Sequence, residues 1–352
     1  MVPAFAQGVS IMSSLLFKAR RLAVAAATVM SFALGAQTAQ AATDVRVGFI
    51  PVVGAGQLFV IDGEGWATEA GLNLKLTQFE SGPAMISALA SGTLDAYYGG
   101  IGPIMVASAR GIDVKVYAAT AIEEMTVVGR AAFGAQADAA TAAGFKAFAD
   151  REGRPVRIAT QPPGSVPDTV LRYWLQNVVK ADPKTYQITA MGIEATQQAL
   201  LAGAVDAATV REPTLTVIQQ RDPNTKLLAL GGQMQPNQPG SVLALTGAFV
   251  KAHPEQAKAL VALHNRATTL LKDEPNKAAA HLQKGLGKGI TDLATFEKAV
   301  VSPASKFVAD PMVIKDATKV MQDFQLQQGT LEKAADLNLL FDDSFYRAAV
   351  AP

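Results

Sequence analysis

Two stretches of this chain, 111 residues apart, read as the same structural unit, and no other feature restricts the fold as much. Ala88-Leu89-Ala90-Ser91-Gly92-Thr93-Leu94-Asp95-Ala96 is echoed by Ala199-Leu200-Leu201-Ala202-Gly203-Ala204-Val205-Asp206-Ala207. The same offset carries Arg46-Val47-Gly48 onto Arg157-Ile158-Ala159, and Lys115-Val116 onto Lys226-Leu227. A proline follows each Asp-Ala run, Pro103 and then Pro213, with the offset slipped by one. Each copy reads as strand, loop, helix, Gly-x-x-Asp turn and strand. Solenoid repeats recur at roughly 20–50 residues, so a period this long is a duplicated domain. Two such α/β lobes facing each other enclose a cleft, a common place for a ligand.

The first 41 residues stand outside this pattern. Lys18, Arg20 and Arg21 precede an apolar run, residues 22–35, and Ala39-Gln40-Ala41 closes it with small residues. That order marks a secretory signal peptide cleaved near Ala41, with Met12 as an alternative start. A membrane span needs about 20 apolar residues, and this run is shorter and ends in Gln37, Thr38 and Gln40. The expected mature protein, 42–352, is periplasmic and not inserted in the membrane. Losing three basic and no acidic residues takes the formal net charge from +1 to −2. No Lys/Arg run offers a nucleic-acid surface. With no cysteine in the chain, thiol nucleophiles, Cys-bound metals and a lipid-anchored N-terminus are excluded. Stability must come from the core rather than from disulfides. A monomer is expected.

Beyond the leader, apolar β-rich runs alternate with helical ones, the pattern of an α/β protein with mainly parallel sheets flanked by helices. Strands are predicted at Val45–Ile50, Leu74–Phe79, Ala96–Tyr98, Val114–Ala119 and Met125–Arg130. The second set is Val156–Thr160, Tyr186–Ala190, Ala207–Val210, Leu227–Leu230 and Val242–Val250. Helices between them include Leu58–Glu69, Asp168–Val179 and Ala195–Ala202. The last hundred residues read as helical: a long helix from Pro254 to Leu271, then Asn276–Lys284, Asp292–Lys298, Asp310–Gln327 and Leu331–Ala335. The first lobe is therefore expected to be discontinuous, 42–125 plus 241–352, and the second to span 126–240. Crossings near 125 and 240 would form a two-strand hinge.

Residues for catalysis are scarce. His253, His264 and His281 are the only histidines, none at metal-ligand spacing from another. His253 suits a helix start and the other two suit helix surfaces. No Gly-x-Ser-x-Gly, His-Glu-x-x-His or Walker A motif occurs, and Gly287-Lys288-Gly289 lacks the strand and spacing of a phosphate loop. Glu123-Glu124 is an adjacent pair whose side chains diverge, and it reads as solvated charge at the hinge edge. No cofactor, metal or enzymatic activity is expected.

Ligands of parallel α/β sheets bind outside the carboxyl ends of the strands. Those ends carry Pro51–Gln57, Glu80-Ser81-Gly82-Pro83, Gly99-Gly100-Ile101-Gly102, Gln161–Val166 and Arg211-Glu212-Pro213. Glycines there let backbone N–H groups approach a ligand, and several loops lead into helix N-termini, which favour anions. Ser165 can donate its hydroxyl beside first-turn amides, with Asp168 read as a helix-start cap. Arg211 could clamp an oxyanion while Glu212 accepts from an amine, or the two could pair with each other. Tyr97, Tyr98 and Phe49 are either walls of an organic site or core.

Val47-Gly48-Phe49-Ile50-Pro51, Ala90-Ser91-Gly92-Thr93-Leu94-Asp95 and Gly164-Ser165-x-x-Asp168-Thr169-x-Leu171 resemble the solute-binding proteins of ABC importers for sulfonates, taurine and nitrate. The resemblance covers essentially all of the mature chain. It implies a two-lobe periplasmic-binding-protein fold of type II that closes on a small organic anion and delivers it to an inner-membrane permease. Ligand positions carried over from the family are Pro51, Gly54, Gln57, Ser81, Gly82, Gly99, Gly100, Gly164 and Ser165, with the residue before Pro213. Relatives often place an aromatic residue and then an acid before that proline; here Arg211 replaces the aromatic and Glu212 keeps the acid. A pyrimidine-type thiamine precursor or an aromatic acid as ligand, a periplasmic sensor, and an enzyme on the same fold are the alternatives.

Overall fold

The computed structural model describes Met1 and residues 42–136, 138–287 and 291–351; the predicted signal peptide and its cleavage site lie outside the described residues. Two five-stranded mixed sheets organise the chain. The first contains β1 (Thr43–Phe49), β2 (Leu72–Gln78), β3 (Ala96–Gly100) and β4 (Val114–Ala119). A two-residue strand, β5 (Ala121–Ile122), precedes β6 (Thr126–Gly129), which opens the second sheet. That sheet continues with β7 (Val156–Thr160), β8 (Tyr186–Ala190), β9 (Ala207–Val210) and β10 (Lys226–Leu230). The chain then returns to the first sheet with β11 (Ser241–Thr246), and β12 (Lys306–Phe307) pairs with β5.

The strand orders are β2-β1-β3-β11-β4 and, read from the matching edge, β8-β7-β9-β6-β10. In each sheet four strands run parallel and one, β11 or β6, runs against them. Each antiparallel strand is the one supplied by a chain crossing. The repeat offset survives at the level of register: Val47 pairs with Ala96, and Ile158, 111 residues on, pairs with Ala207.

One apolar core runs through the first sheet, its helices and one face of the second sheet. A smaller cluster around Val128, Ala159, Leu200 and Ile218 covers the other face. Three helices matter for the site. Helix α1 (Val166–Tyr173) follows β7, α2 (Pro254–Asp273) is the long helix after β11, and α3 (Lys315–Gln327) lies near the C-terminus. Pro254 starts α2 at a position where its missing N–H costs nothing.

Several boundaries differ from expectation. The helix predicted over Leu58–Glu69 is two pieces, Gly56–Gly63 and Trp66–Glu69. The strand predicted over Val242–Val250 ends at Thr246, whose hydroxyl accepts from the Phe249 N–H and starts a helix instead. No helix forms over Leu331–Ala335; the next helical turn is Leu337–Leu340, capped by Asp336. His264 is not on a helix surface: it falls on the same stripe of α2 as Leu260, Val261, Ala267, Thr268 and Leu271, and is fully buried. Its Nε2 lies 2.8 Å from the Ala119 carbonyl and its Nδ1 3.1 Å from the Tyr98 hydroxyl. Burial pushes its pKa down to about 4. Among the described residues no helix is long and apolar enough to cross a membrane.

Candidate functional site

The loops that follow β1 and β3 meet those that follow β7 and β9. The Val53 N–H donates to the Glu212 carbonyl at 2.8 Å. A Cβ on Gly100 would lie 2.7 Å from the Val166 side chain, and one on Gly102 2.7 Å from the Gly164 carbonyl oxygen, so both glycines let the two loops approach closely. From α3, the Gln325 amide donates to the Gly164 carbonyl and to Thr169 Oγ1, both at 3.1 Å. Each carboxyl end of one sheet therefore faces a carboxyl end of the other.

At the centre of this surface sits an ion pair. Arg211, one residue beyond β9, donates through Nη1 to Glu124 Oε1 at 2.9 Å and to the Ser241 hydroxyl at 3.2 Å. Ser241 donates to the same Glu124 oxygen at 2.7 Å. Arg211 is 4% exposed and Glu124 2%. The three residues come from three places: the end of β9, the crossing before β6, and the start of the returning β11. Arg211 therefore pairs with Glu124, not with Glu212, and Glu124 is buried rather than solvated. Glu123 is largely covered as well: its side chain is 14% exposed, pairs with Lys306 and accepts from the Asn237 N–H, so neither member of the pair is simply solvated. Two atoms of the pair, Glu124 Oε2 and Arg211 Nε, are buried and have no hydrogen-bond partner among the described residues.

Other predicted residues fall around this pair. Gly54 abuts the free Oε2 of Glu124, leaving no room for a side chain. Gly82 and Gly99 both lie against Tyr97, where an added Cβ would come within 2.8 and 2.9 Å of the phenolic oxygen. The Tyr97 hydroxyl donates to the Gly100 carbonyl at 2.8 Å, and burial pushes its pKa far upward. Ser81 is buried beside Gly82 but makes no cap bond. Gly164, in the left-handed region at φ +82°, turns the chain into α1. Ser165, not Asp168, is the cap of α1, since its Oγ accepts from the Asp168 N–H at 3.3 Å. Asp168 is held inside the first turn by Arg172 at 2.9 Å, with burial raising its pKa against that cation.

Three predicted residues point elsewhere. Gln57 is fully buried toward α2, donating to the Thr120 carbonyl at 2.8 Å and to Thr268 at 3.2 Å. Pro51 opens onto a surface groove of about 290 Å³ with Ile193, Pro213, Thr214 and Arg221. Glu212 turns away from Arg211 to accept from the Thr216 N–H at 3.1 Å, and burial raises its pKa. Tyr98 and Phe49 are core, Phe49 lying edge-on to Phe59 at 5.2 Å. Among the described residues no group of three or more His, Asp or Glu could hold a metal ion.

The arrangement is that of a two-sheet binding-protein fold with its polar centre where the strand ends meet. The chain belongs to the NMT1-like family, whose model matches residues 38–283. It is 25% identical over 307 residues to a Bacillus subtilis (strain 168) protein named for binding aliphatic sulfonates, covering 83% of this chain and 84% of that protein. The fold matches the periplasmic nitrate-binding protein NrtA of Synechocystis PCC 6803 with a TM-score of 0.73, at 15% identity over 87% of this chain and 88% of that one. It also matches the alkanesulfonate-binding protein SsuA of Xanthomonas axonopodis pv. citri, solved with MOPS, with a TM-score of 0.68, at 19% identity over 86% and 99% of the two chains.

Proposed function

We propose that this chain is the periplasmic, non-catalytic binding component of an ABC importer. It captures a small organic solute carrying a sulfonate-like oxyanion, of the alkanesulfonate, taurine or nitrate class, and delivers it to an inner-membrane permease. In this reading the lobes 42–125 plus 241–352 and 126–240 close over the solute about the crossings near 125 and 240. The signal peptide is residues 1–41, and the mature chain works as a monomer. Closure is driven by the higher affinity of the closed form for solute. The observation that carries the reading is Arg211, a buried cation aimed from the end of β9 at the loops of the facing sheet. Oxyanion contacts would come from Arg211 and Ser165.

The test is a thermal-shift screen of the purified protein against alkanesulfonates, taurine, nitrate, aromatic acids and pyrimidines. A solute that binds only the folded state raises the melting temperature in step with occupancy. A saturable shift with a sulfonate or nitrate is the expected result. A shift with pyrimidines alone moves the solute class, and no shift with any compound removes the solute-binding reading.

A further inference from the structure

We propose that α3 is a strap that holds the two lobes closed, and that Gln325 is its latch, the residue that positions the Gly164–Ser165 loop. The proposal rests on the lobe closure in the reading above.

The strap is rooted at both ends on β4, an edge strand of the first sheet. Before α3, the Ala119 N–H donates to the Ala309 carbonyl at 3.1 Å. After it, the Asp342 N–H donates to the Val116 carbonyl at 3.0 Å, and Lys115 pairs with the Asp342 carboxylate at 3.1 Å. The returning chain is pinned as well, since Gln322 of α3 accepts from the Ala335 N–H at 2.9 Å. Between these roots α3 crosses to the second lobe. Phe324 lies edge-on to Tyr173 of α1 at 5.3 Å. At the surface Gln328 and Gln176 exchange amide hydrogen bonds at 3.2 and 3.4 Å.

Gln325 is the deepest of these contacts. It is fully buried, and its Nε2 donates to two acceptors of the second lobe, the Gly164 carbonyl and Thr169 Oγ1, both at 3.1 Å. Thr169 in turn donates to the Ser165 carbonyl at 2.8 Å. One amide therefore braces both carbonyls of the Gly164–Ser165 loop, the first directly and the second through Thr169. Gly102, on the first lobe, makes the approach possible. A Cβ there would come 2.7 Å from the Gly164 oxygen and 3.0 Å from Gln325 Nε2, forcing strap and loop apart.

The latch also has the mark of a contact that opens. Gln325 Oε1 is buried with no hydrogen-bond partner among the described residues. In the closed position the amide gains two bonds and forgoes one that water would supply on release. Buried polar groups of a permanent core are normally satisfied, and one left short is held less firmly. A solute enters the open form and leaves only after the strap lets go. The latch therefore governs release more than capture.

The experiment pairs small-angle scattering of the purified protein with stopped-flow kinetics, using ethanesulfonate as the probe. Gln325→Met keeps the length of the side chain and loses both donors. It should enlarge the radius of gyration of the probe-free protein. It should also raise the dissociation rate of the probe about tenfold, the effect expected of two hydrogen bonds, with the association rate unchanged. A lower melting temperature with radius and rates unmoved would make Gln325 merely structural and overturn the proposal. A second variant leaves the core untouched: Gln176→Cys/Gln328→Cys, in a chain with no other cysteine, joined by a short bismaleimide. The joined strap cannot release, so the probe should associate at least about tenfold more slowly than with the unjoined variant. Equal rates would overturn the proposal even if Gln325→Met folds poorly. Should ethanesulfonate fail to bind, scattering decides: an enlarged Gln325→Met supports the strap, and an unchanged radius overturns it. Failure of the wider screen removes the solute-binding reading and leaves that scattering result in force.

Discussion

The two halves of the repeat keep one device and diverge at another. In the first half Arg46 clamps Asp95: its backbone N–H and Nε reach Oδ2 at 2.9 and 2.8 Å, its Nη2 reaches Oδ1 at 2.5 Å, and its Nη1 donates to the Gly92 carbonyl at 2.7 Å. In the second half Arg157 does the same to Asp206, at 2.9, 3.2 and 3.0 Å, with Nη2 also reaching the Gly203 carbonyl at 3.3 Å. The Asp N–H returns a bond to the Arg carbonyl at 2.8 Å in both. This clamp ties the turn before the third strand of each half to its first strand. It lies at the ends of β1 and β7 remote from the Arg211–Glu124 pair, and both halves keep it. At the opposite ends of β3 and β9 the halves part: Gly100 is bare backbone against Val166, whereas its counterpart Arg211 carries the buried charge. Fold-keeping contacts are symmetric, and the chemistry sits on one side only.

The largest effect should come from erasing that asymmetry. Arg211→Ala strands Glu124 as a buried, unpaired carboxylate, and losing one partner of a buried pair costs about 3–5 kcal/mol. Chemical denaturation should show a loss of that size, with the double variant Arg211→Ala/Glu124→Ala recovering much of it in a double-mutant cycle. A loss below about 1 kcal/mol in the single variant would mean that the pair is not closed in solution.

Next come the clamps themselves. Asp206 carries a second cation that Asp95 lacks: Arg154 reaches Oδ2 at 2.6 Å and Oδ1 at 3.0 Å. Asp206→Asn should therefore cost more than Asp95→Asn, about 2–3 against about 1–2 kcal/mol, since hydrogen bonds to charged groups are worth about 1.5–3 kcal/mol and the arginines are half in solvent. Equal losses would show that Arg154 adds nothing. Acid titration sharpens the same contrast. Burial works against both carboxylates, but their arginines outweigh it and hold both below the ordinary 3.8, Asp206 at about 2. A depressed carboxylate stabilises the fold above its unfolded pKa and loses that contribution as pH falls through the folded one. Removing Asp206 should therefore flatten the fall in stability between about pH 4 and 2, and in the intact protein the contribution of Asp206 should last to about pH 2.

The repeat was legible because it rests on local spacing, with Gly-x-x-Asp marking the turn in each copy; the clamp was not, because its Arg and Asp stand 49 residues apart and meet only when the strands pair. The strand ends were legible for the same reason, and they placed Gly54, Gly82, Gly99, Gly100, Gly164 and Ser165 near the junction. Glu124 was not, because its burial depends on two crossings meeting, and a neighbour as polar as Glu123 gives it the look of surface charge. Ser241 opens the returning strand and carries no motif. Gln57 and Glu212 were placed toward the cleft, but helix packing turns one to Thr120 and Thr268 and a local helix amide takes the other. His264 has the polarity of a surface residue, but the stripe it shares with Leu260 and Leu271 carries it into the core.

The smallest expected effect separates the two turns. Gly92 and Gly203 both adopt left-handed backbone, φ +69° and +78°, and an alanine in that conformation costs about 1–2 kcal/mol. Around Gly92 an added Cβ meets nothing within 4 Å, so Gly92→Ala should lose only that backbone cost. At Gly203 the Cβ would meet the Arg130 guanidinium, the far end of a flexible side chain that can move aside. Gly203→Ala should therefore exceed Gly92→Ala by no more than about 0.5 kcal/mol in denaturation midpoint measurements, the size of a surface rearrangement. A gap well above 1 kcal/mol would show that Arg130 is held as firmly as the clamp arginines, which would make the second half the more rigid of the two.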